Sequence, residues 1–241
     1  FGSARVDSRE RAERALKTLR ARGVQQADEA YEKELKKTRK AVEWARYYED
    51  ARELARLLTA WSTGLKSENH RFVVTSGGGP GNMEAARRGA REAGGKTVGF
   101  NIRLPFEQGV NPYLTEGLHF EFHYFFMRKF WFAYMAKALV VFPGGFGTCD
   151  ELFEILTLVQ TDKLSKKIDV VLYGSEYWDQ VIDFKAMAEW GAIADADLEL
   201  LRRADTPSYA FEHLRKNLMA NHLDPATAQE AAAPGIAKTR G

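Results

Sequence analysis

Phe142-Pro143-Gly144-Gly145-Phe146-Gly147-Thr148-Cys149-Asp150-Glu151 joins an apolar run to a helical one through a glycine-rich turn. Just before and into it, Ala138-Leu139-Val140-Val141-Phe142 is continuously apolar, the pattern of a strand buried on both faces of a parallel sheet. After it, Leu152, Ile155, Leu156 and Val159 recur at helical spacing between Glu151 and Gln160. Such a turn presents the unpaired N–H groups and positive dipole end of a helix, and glycine lets an anion approach the backbone. It reads as a phosphate site, with the Glu151 carboxylate near the phosphate but not on it. Chemistry on the sugar of a nucleotide needs that geometry.

The same alternation runs through most of the chain. Strands are predicted at 71–75, 96–100, 119–122 and 168–172 besides 138–142, and helices at 83–93, 125–137, 151–160, 176–189 and 207–221. Strands alternating with helices of this length imply βαβ crossovers. The expected fold class is α/β: a Rossmann-like, doubly wound parallel sheet with helices on both faces, plus an N-terminal helical insertion. From Ser8 to about Trp61 the chain is charged and helical, with Ala41, Trp44, Ala45, Tyr48, Ala51, Leu54 and Leu58 near one stripe. The basic run Lys33–Lys40 lacks interleaved aromatics, so it reads as a solvated face and not a nucleic-acid contact. Phe1-Gly2-Ser3-Ala4-Arg5 resembles the end of a strand entering a βα turn, and residues before Phe1 are expected. One domain is expected over 1–222, with the insertion at 8–40 and an aperiodic tail at 223–241. Residues 105–115 carry loop signals of the kind that cover a site.

Composition narrows the function classes. Among 241 residues, 35 Lys and Arg stand against 33 Asp and Glu, so no field attracts polyanions. The single cysteine, Cys149, excludes an intrachain disulfide framework and fits a reducing compartment. No run has the apolar length of a membrane span and no signal peptide is visible, so a cytoplasmic protein without membrane partners is expected.

A second glycine loop, Thr75-Ser76-Gly77-Gly78-Gly79-Pro80-Gly81-Asn82, also follows a strand and precedes a helix. Neither loop ends in the Lys-Ser/Thr of a P-loop, which argues against ATP hydrolysis, and neither is a complete dinucleotide fingerprint. Two such loops in one parallel α/β fold favour a nucleotide, because ligands collect at the C-terminal ends of strands. Arg128 and Lys129 sit in the otherwise apolar Tyr124–Trp131 segment, where a cation needs either a structural carboxylate or a ligand. Glu151 and Glu84 each read two ways, as helix-dipole partners or as ligand contacts. His119, Glu121 and His123 alternate as strand metal ligands can, but no further ligand cluster accompanies them and no metal is expected. Cys149, at a helix start, could have a lowered pKa, yet no base is placed beside it.

Pro143-Gly144-Gly145-Phe146-Gly147-Thr148-x-x-Glu151, with Met127-Arg128-Lys129 and Ser76-Gly77-Gly78-Gly79-Pro80-Gly81-Asn82-Met83-Glu84, resembles the Lonely Guy family over about Arg71 to Leu214. Its members are phosphoribohydrolases that cleave cytokinin riboside 5′-monophosphates, and often AMP, to free base and ribose 5-phosphate. The resemblance implies catalytic roles for Arg128 and Glu151. It implies substrate contacts for Gly78, Gly79, Glu84, Lys129, Gly144, Gly145, Gly147 and Thr148, without metal or other cofactor. Many members carry a lysine decarboxylase label, but no pyridoxal phosphate lysine site is evident here. The partner implied is an AMP-like small molecule, and the apolar helix bearing Arg128 implies a homodimer or higher homo-oligomer. The insertion resembles that of longer, bacterial-type members. The alternative on the same fold is a non-catalytic carrier of a nucleotide or phosphate-bearing cofactor.

Overall fold

The computed structural model describes residues 1–22, 28–65, 72–103, 113–164 and 166–223. They group into two compact units, one spanning Gly2–Tyr124 and one formed by Phe1 with the chain from Phe125 onward. The fold is Rossmann-like α/β, with parallel strands and flanking helices in each unit.

The first unit holds α1 (Arg9–Ala21), α2 (Glu29–Thr63), β1 (Val74–Gly77), α3 (Asn82–Glu92), β2 (Thr97–Ile102) and β3 (His119–Phe122). Its three strands lie in the order β1-β2-β3, all parallel, with Val74 opposite Thr97 and Gly99 opposite His119. Ser8 caps α1 by accepting from the Arg11 amide, and Asp28 caps α2 by accepting from that of Tyr31. The insertion is therefore helical, but it has no break at residue 40, because α2 runs through it for 35 residues. Ala45, Tyr48, Ala51, Leu54 and Ala55 form the buried stripe of α2.

The second unit holds α4 (Phe125–Met135), β4 (Ala138–Val141), α5 (Phe146–Gln160), β5 (Asp169–Tyr173), α6 (Ser175–Val181), α7 (Phe184–Glu189), a 3₁₀ turn (Asp195–Leu200), β6 (Leu201–Ala204) and α8 (Pro207–His222). Its strands order β4-β5-β6, again all parallel. Phe1 adds to β4: its nitrogen donates to the Val140 carbonyl at 2.7 Å and its carbonyl accepts from the Phe142 amide at 2.9 Å. Three sequence expectations shift here. The predicted helix at 176–189 is two helices, broken where Asp183 caps α7 through the Ala186 amide. The 3₁₀ turn and β6 are additional. Helix α5 begins five residues before the position expected for it, which alters the reading of Cys149 and Glu151.

Val141, Val170, Leu172, Leu152, Ile155 and Trp178 make the centre of this unit's core. Trp178 is fully buried and its indole N–H donates to the Tyr173 carbonyl at 3.0 Å. Trp178→Ala removes both the packing and the bond. It is expected to lower unfolding stability by about 3–5 kcal/mol, read from the shift in a urea unfolding curve.

Candidate active site

The glycine turn of the second unit is built from β4 and α5. Gly145 is the N-cap of α5, with Phe146, Gly147 and Thr148 in the first turn, whose N–H groups have no acceptor within the helix. Thr148 is buried directly against Gly144: a β-carbon at 144 would lie 2.1 Å from Thr148 Oγ1, so only glycine fits. Gly145 and Gly147 differ, because a β-carbon at either would meet nothing within 4 Å. Gly145 also has an ordinary extended backbone, φ −91° and ψ −152°. Neither local packing nor backbone geometry demands glycine there. What these glycines preserve is open space in front of unpaired N–H groups, which suits an oxyanion.

Glu151 lies in the second turn of α5, and the first turn holds no acid. A dipole contribution falls off within that first turn, so the dipole reading of Glu151 loses its geometric basis. Instead Arg128 Nη2 donates to Glu151 Oε1 at 2.9 Å, with the two side chains only 14% and 12% exposed. The guanidinium lies 5.4 Å from the Phe125 ring centre and 5.8 Å from that of Phe132. Its Nε is buried without a hydrogen-bond partner. Burial pushes the Glu151 carboxyl up to about 7, against the opposing pull of Arg128. The acid is thus poised to exchange a proton near neutrality.

Lys129 turns elsewhere. Its Nζ reaches Asp150 at 2.8 Å and Glu154 at 3.2 Å, and the Asp150 bond raises its pKa. Cys149 is the fourth residue of α5, at the end of its first turn, and burial raises its thiol pKa, opposite to what a nucleophile requires. Sequence reasoning passed over Tyr177. From α6 its hydroxyl donates to the Gly144 carbonyl at 2.8 Å, a contact that no motif signals.

In the first unit, the loop after β1 is filled by its own chain. A β-carbon at Gly78 would lie 1.9 Å from Asn101 Oδ1, and one at Gly79 would lie 2.7 Å from the Met83 methyl. Gly81, at φ +70°, turns the chain into α3. Glu84 stands in the first turn of α3 and is buried, accepting from the Tyr48 hydroxyl at 2.7 Å and from Arg11 at 3.2 Å. Beneath the loop, Arg87 is completely buried and donates through Nε to Ser76 Oγ at 3.0 Å. Burial brings its pKa down to about 10. Glu121 is paired with Arg103, His119 with Asn101, and β3 ends at Phe122, before His123. Among the described residues no cluster of three or more metal-binding side chains occurs. Most of the loop expected at 105–115, and all but the first residue of the tail at 223–241, lie outside the described residues.

Residues 83–214, more than half of the chain, match a family described as possible lysine decarboxylase. No curated protein matches the chain in sequence. Among solved structures, the molybdenum cofactor carrier protein of Chlamydomonas reinhardtii is similar at 21% identity and a TM-score of 0.48, covering 72% of this chain and 89% of its own. The molybdenum cofactor binding protein of the phototrophic bacterium Rippkaea orientalis is similar at 20% identity and a TM-score of 0.49, covering 70% and 86%.

The two kinds of glycine in the α5 turn separate experimentally. Gly144→Ala collides with Thr148 and is expected to cost about 1–3 kcal/mol of stability. Gly147→Ala meets no atom and gains helix propensity, so its stability should hold or rise by up to ~1 kcal/mol. Paired thermal melts check both, and equal destabilisation would contradict the assignment.

Proposed function

We infer, from a chain that belongs to the possible lysine decarboxylase family in which the Lonely Guy phosphoribohydrolases fall, that it hydrolyses the N-glycosidic bond of a nucleoside 5′-monophosphate. The substrate is AMP or an N6-substituted AMP, and the products are the free base and ribose 5-phosphate. The observation that carries this reading is the buried pair formed by Arg128 of α4 and Glu151 of α5, the helix that starts from the open glycine turn. A phosphate on the N–H groups of Gly145, Gly147 and Thr148 anchors the nucleotide by its 5′ end.

As the bond to the base breaks, its electron pair leaves with the base and positive charge builds on the ribose. The Glu151 carboxylate stabilises that charge and takes the proton of the attacking water as its hydroxyl joins C1′. The departing base receives a proton in turn, completing one water consumed per bond cleaved. Arg128 opposes the effect of burial and so favours the ionised form of Glu151. The family motif also proposes nucleotide contacts at Gly78, Gly79 and Glu84; in this structure Asn101 and Met83 fill the space at the two glycines, and Glu84 is paired with Tyr48 and Arg11. The decarboxylase label gains no support from Lys129, because a Schiff-base lysine needs a lowered pKa and that of Lys129 is raised.

No helix among the described residues is long and apolar enough to cross a membrane. With the single cysteine, this supports a cytoplasmic site of action. Phe125, Phe126, Phe130, Tyr134 and Met135 on α4 are more than half exposed, which supports a homodimer closing over that helix.

The ionised carboxylate is the active form, so kcat/KM for AMP should rise with pH, level off above about 7, and fall towards tenfold per unit below it. Glu151→Gln should lose that limb and about 10²–10⁴-fold in kcat. Chromatography of adenine released from AMP measures both. Undiminished release by the variant sinks the mechanism. Tight nucleotide binding with no release by the unaltered protein assigns it as a carrier instead.

A further inference from the structure

Tyr177 lies outside every motif of the chain, yet it touches the centre of the glycine turn. Its hydroxyl donates to the Gly144 carbonyl at 2.8 Å, while Thr148 closes on the same residue so tightly that no side chain fits there. The Gly144–Gly145 peptide is therefore fixed from two directions. In a trans peptide the carbonyl and the following N–H point opposite ways. Holding the Gly144 oxygen towards Tyr177 turns the Gly145 N–H away from it. That N–H has no backbone acceptor among the described residues, and the space about Gly145 is open.

The phenol is itself firmly placed. Helix α6 begins after Gly174, whose φ of +89° makes the tight entry. Asp205 accepts from the Ser175 amide at 2.7 Å and from its hydroxyl at 2.9 Å. The next residue, Trp178, is anchored in the core and stands edge-on to Tyr177, with ring centres 5.1 Å apart. Burial raises the Tyr177 pKa above that of an ordinary tyrosine, so the hydroxyl remains a donor through the neutral range.

We propose that Tyr177 is a positioning residue for oxyanion recognition, aiming the Gly145 N–H at the phosphate of the bound nucleotide. The identity of the anion rests on the phosphoribohydrolase reading; the geometry does not. Loss of the hydroxyl frees the peptide to rotate, and the phosphate then loses one aligned donor.

The test compares the full-length protein with Tyr177→Phe, using inorganic phosphate, AMP and adenosine as probes in calorimetric titrations. Phosphate and AMP should bind about threefold to tenfold more weakly to the variant, with adenosine unchanged. KM for AMP should rise by the same factor while kcat stays within about twofold, whereas a loosened fold would lower kcat as well. Asp205→Asn, which slackens the start of α6, should give a smaller loss of the same phosphate-specific kind and serves if Tyr177→Phe does not fold. Unchanged phosphate affinity in a folded Tyr177→Phe protein overturns the inference, as does an unaltered protein that binds no phosphate. An unaltered protein that binds phosphate but releases no adenine removes the enzymatic reading alone, and the phosphate comparison still decides the role of Tyr177.

Discussion

A carboxylate and a guanidinium held against each other out of water set the terms for the second unit. Glu151 and Arg128 come from consecutive helices, and each would be costly to bury without the other. Replacing such a pair with apolar side chains is often neutral or stabilising, so its presence is poorly explained by stability. What it does produce is an acid whose proton is balanced near neutrality, because burial and Arg128 act on it in opposite directions. The flanking rings of Phe125 and Phe132 help keep the guanidinium dry and in place.

The parts legible in the sequence were those in which one physical demand dominated. Ala138–Val141 and Asp169–Tyr173 are largely apolar because both faces of a central parallel strand are covered, and each was anticipated to within a residue. The start of α5 was harder. Gly147 and Thr148 look like turn chemistry, yet the first helical turn makes no N–H bonds within the helix and tolerates both. β6 escaped notice because Leu201-Arg202-Arg203-Ala204 is short and charged, and Arg203 spends its charge on Asp179. Nothing at Ile182-Asp183 announces a helix break in the way glycine or proline would. At the site, glycines and acids were visible as types, but only family resemblance joined Arg128 to Glu151. The Tyr177–Gly144 bond spans 33 residues and uses a backbone atom, which leaves no trace in residue types.

The two glycine loops, alike in composition, do different structural work. Around β1 and α3 the glycines admit neighbouring groups of the same chain, the Asn101 amide at Gly78 and the Met83 methyl at Gly79. In the α5 turn one glycine admits Thr148 and the other two admit nothing that belongs to the protein. Glycine density alone does not distinguish a loop packed by its own chain from one that stands open. The neighbours of each missing β-carbon do.

Lys129 gives the second unit a further property. It occupies Asp150 and Glu154 together, so the residue next to Arg128 contributes almost no unspent positive charge. With Arg128 committed to Glu151, these two cations face three carboxylates, so neither adds net positive charge beside the turn. Positive potential at the turn therefore comes from the aligned N–H groups at the start of α5, which act only at short range. The turn offers direction in place of net charge.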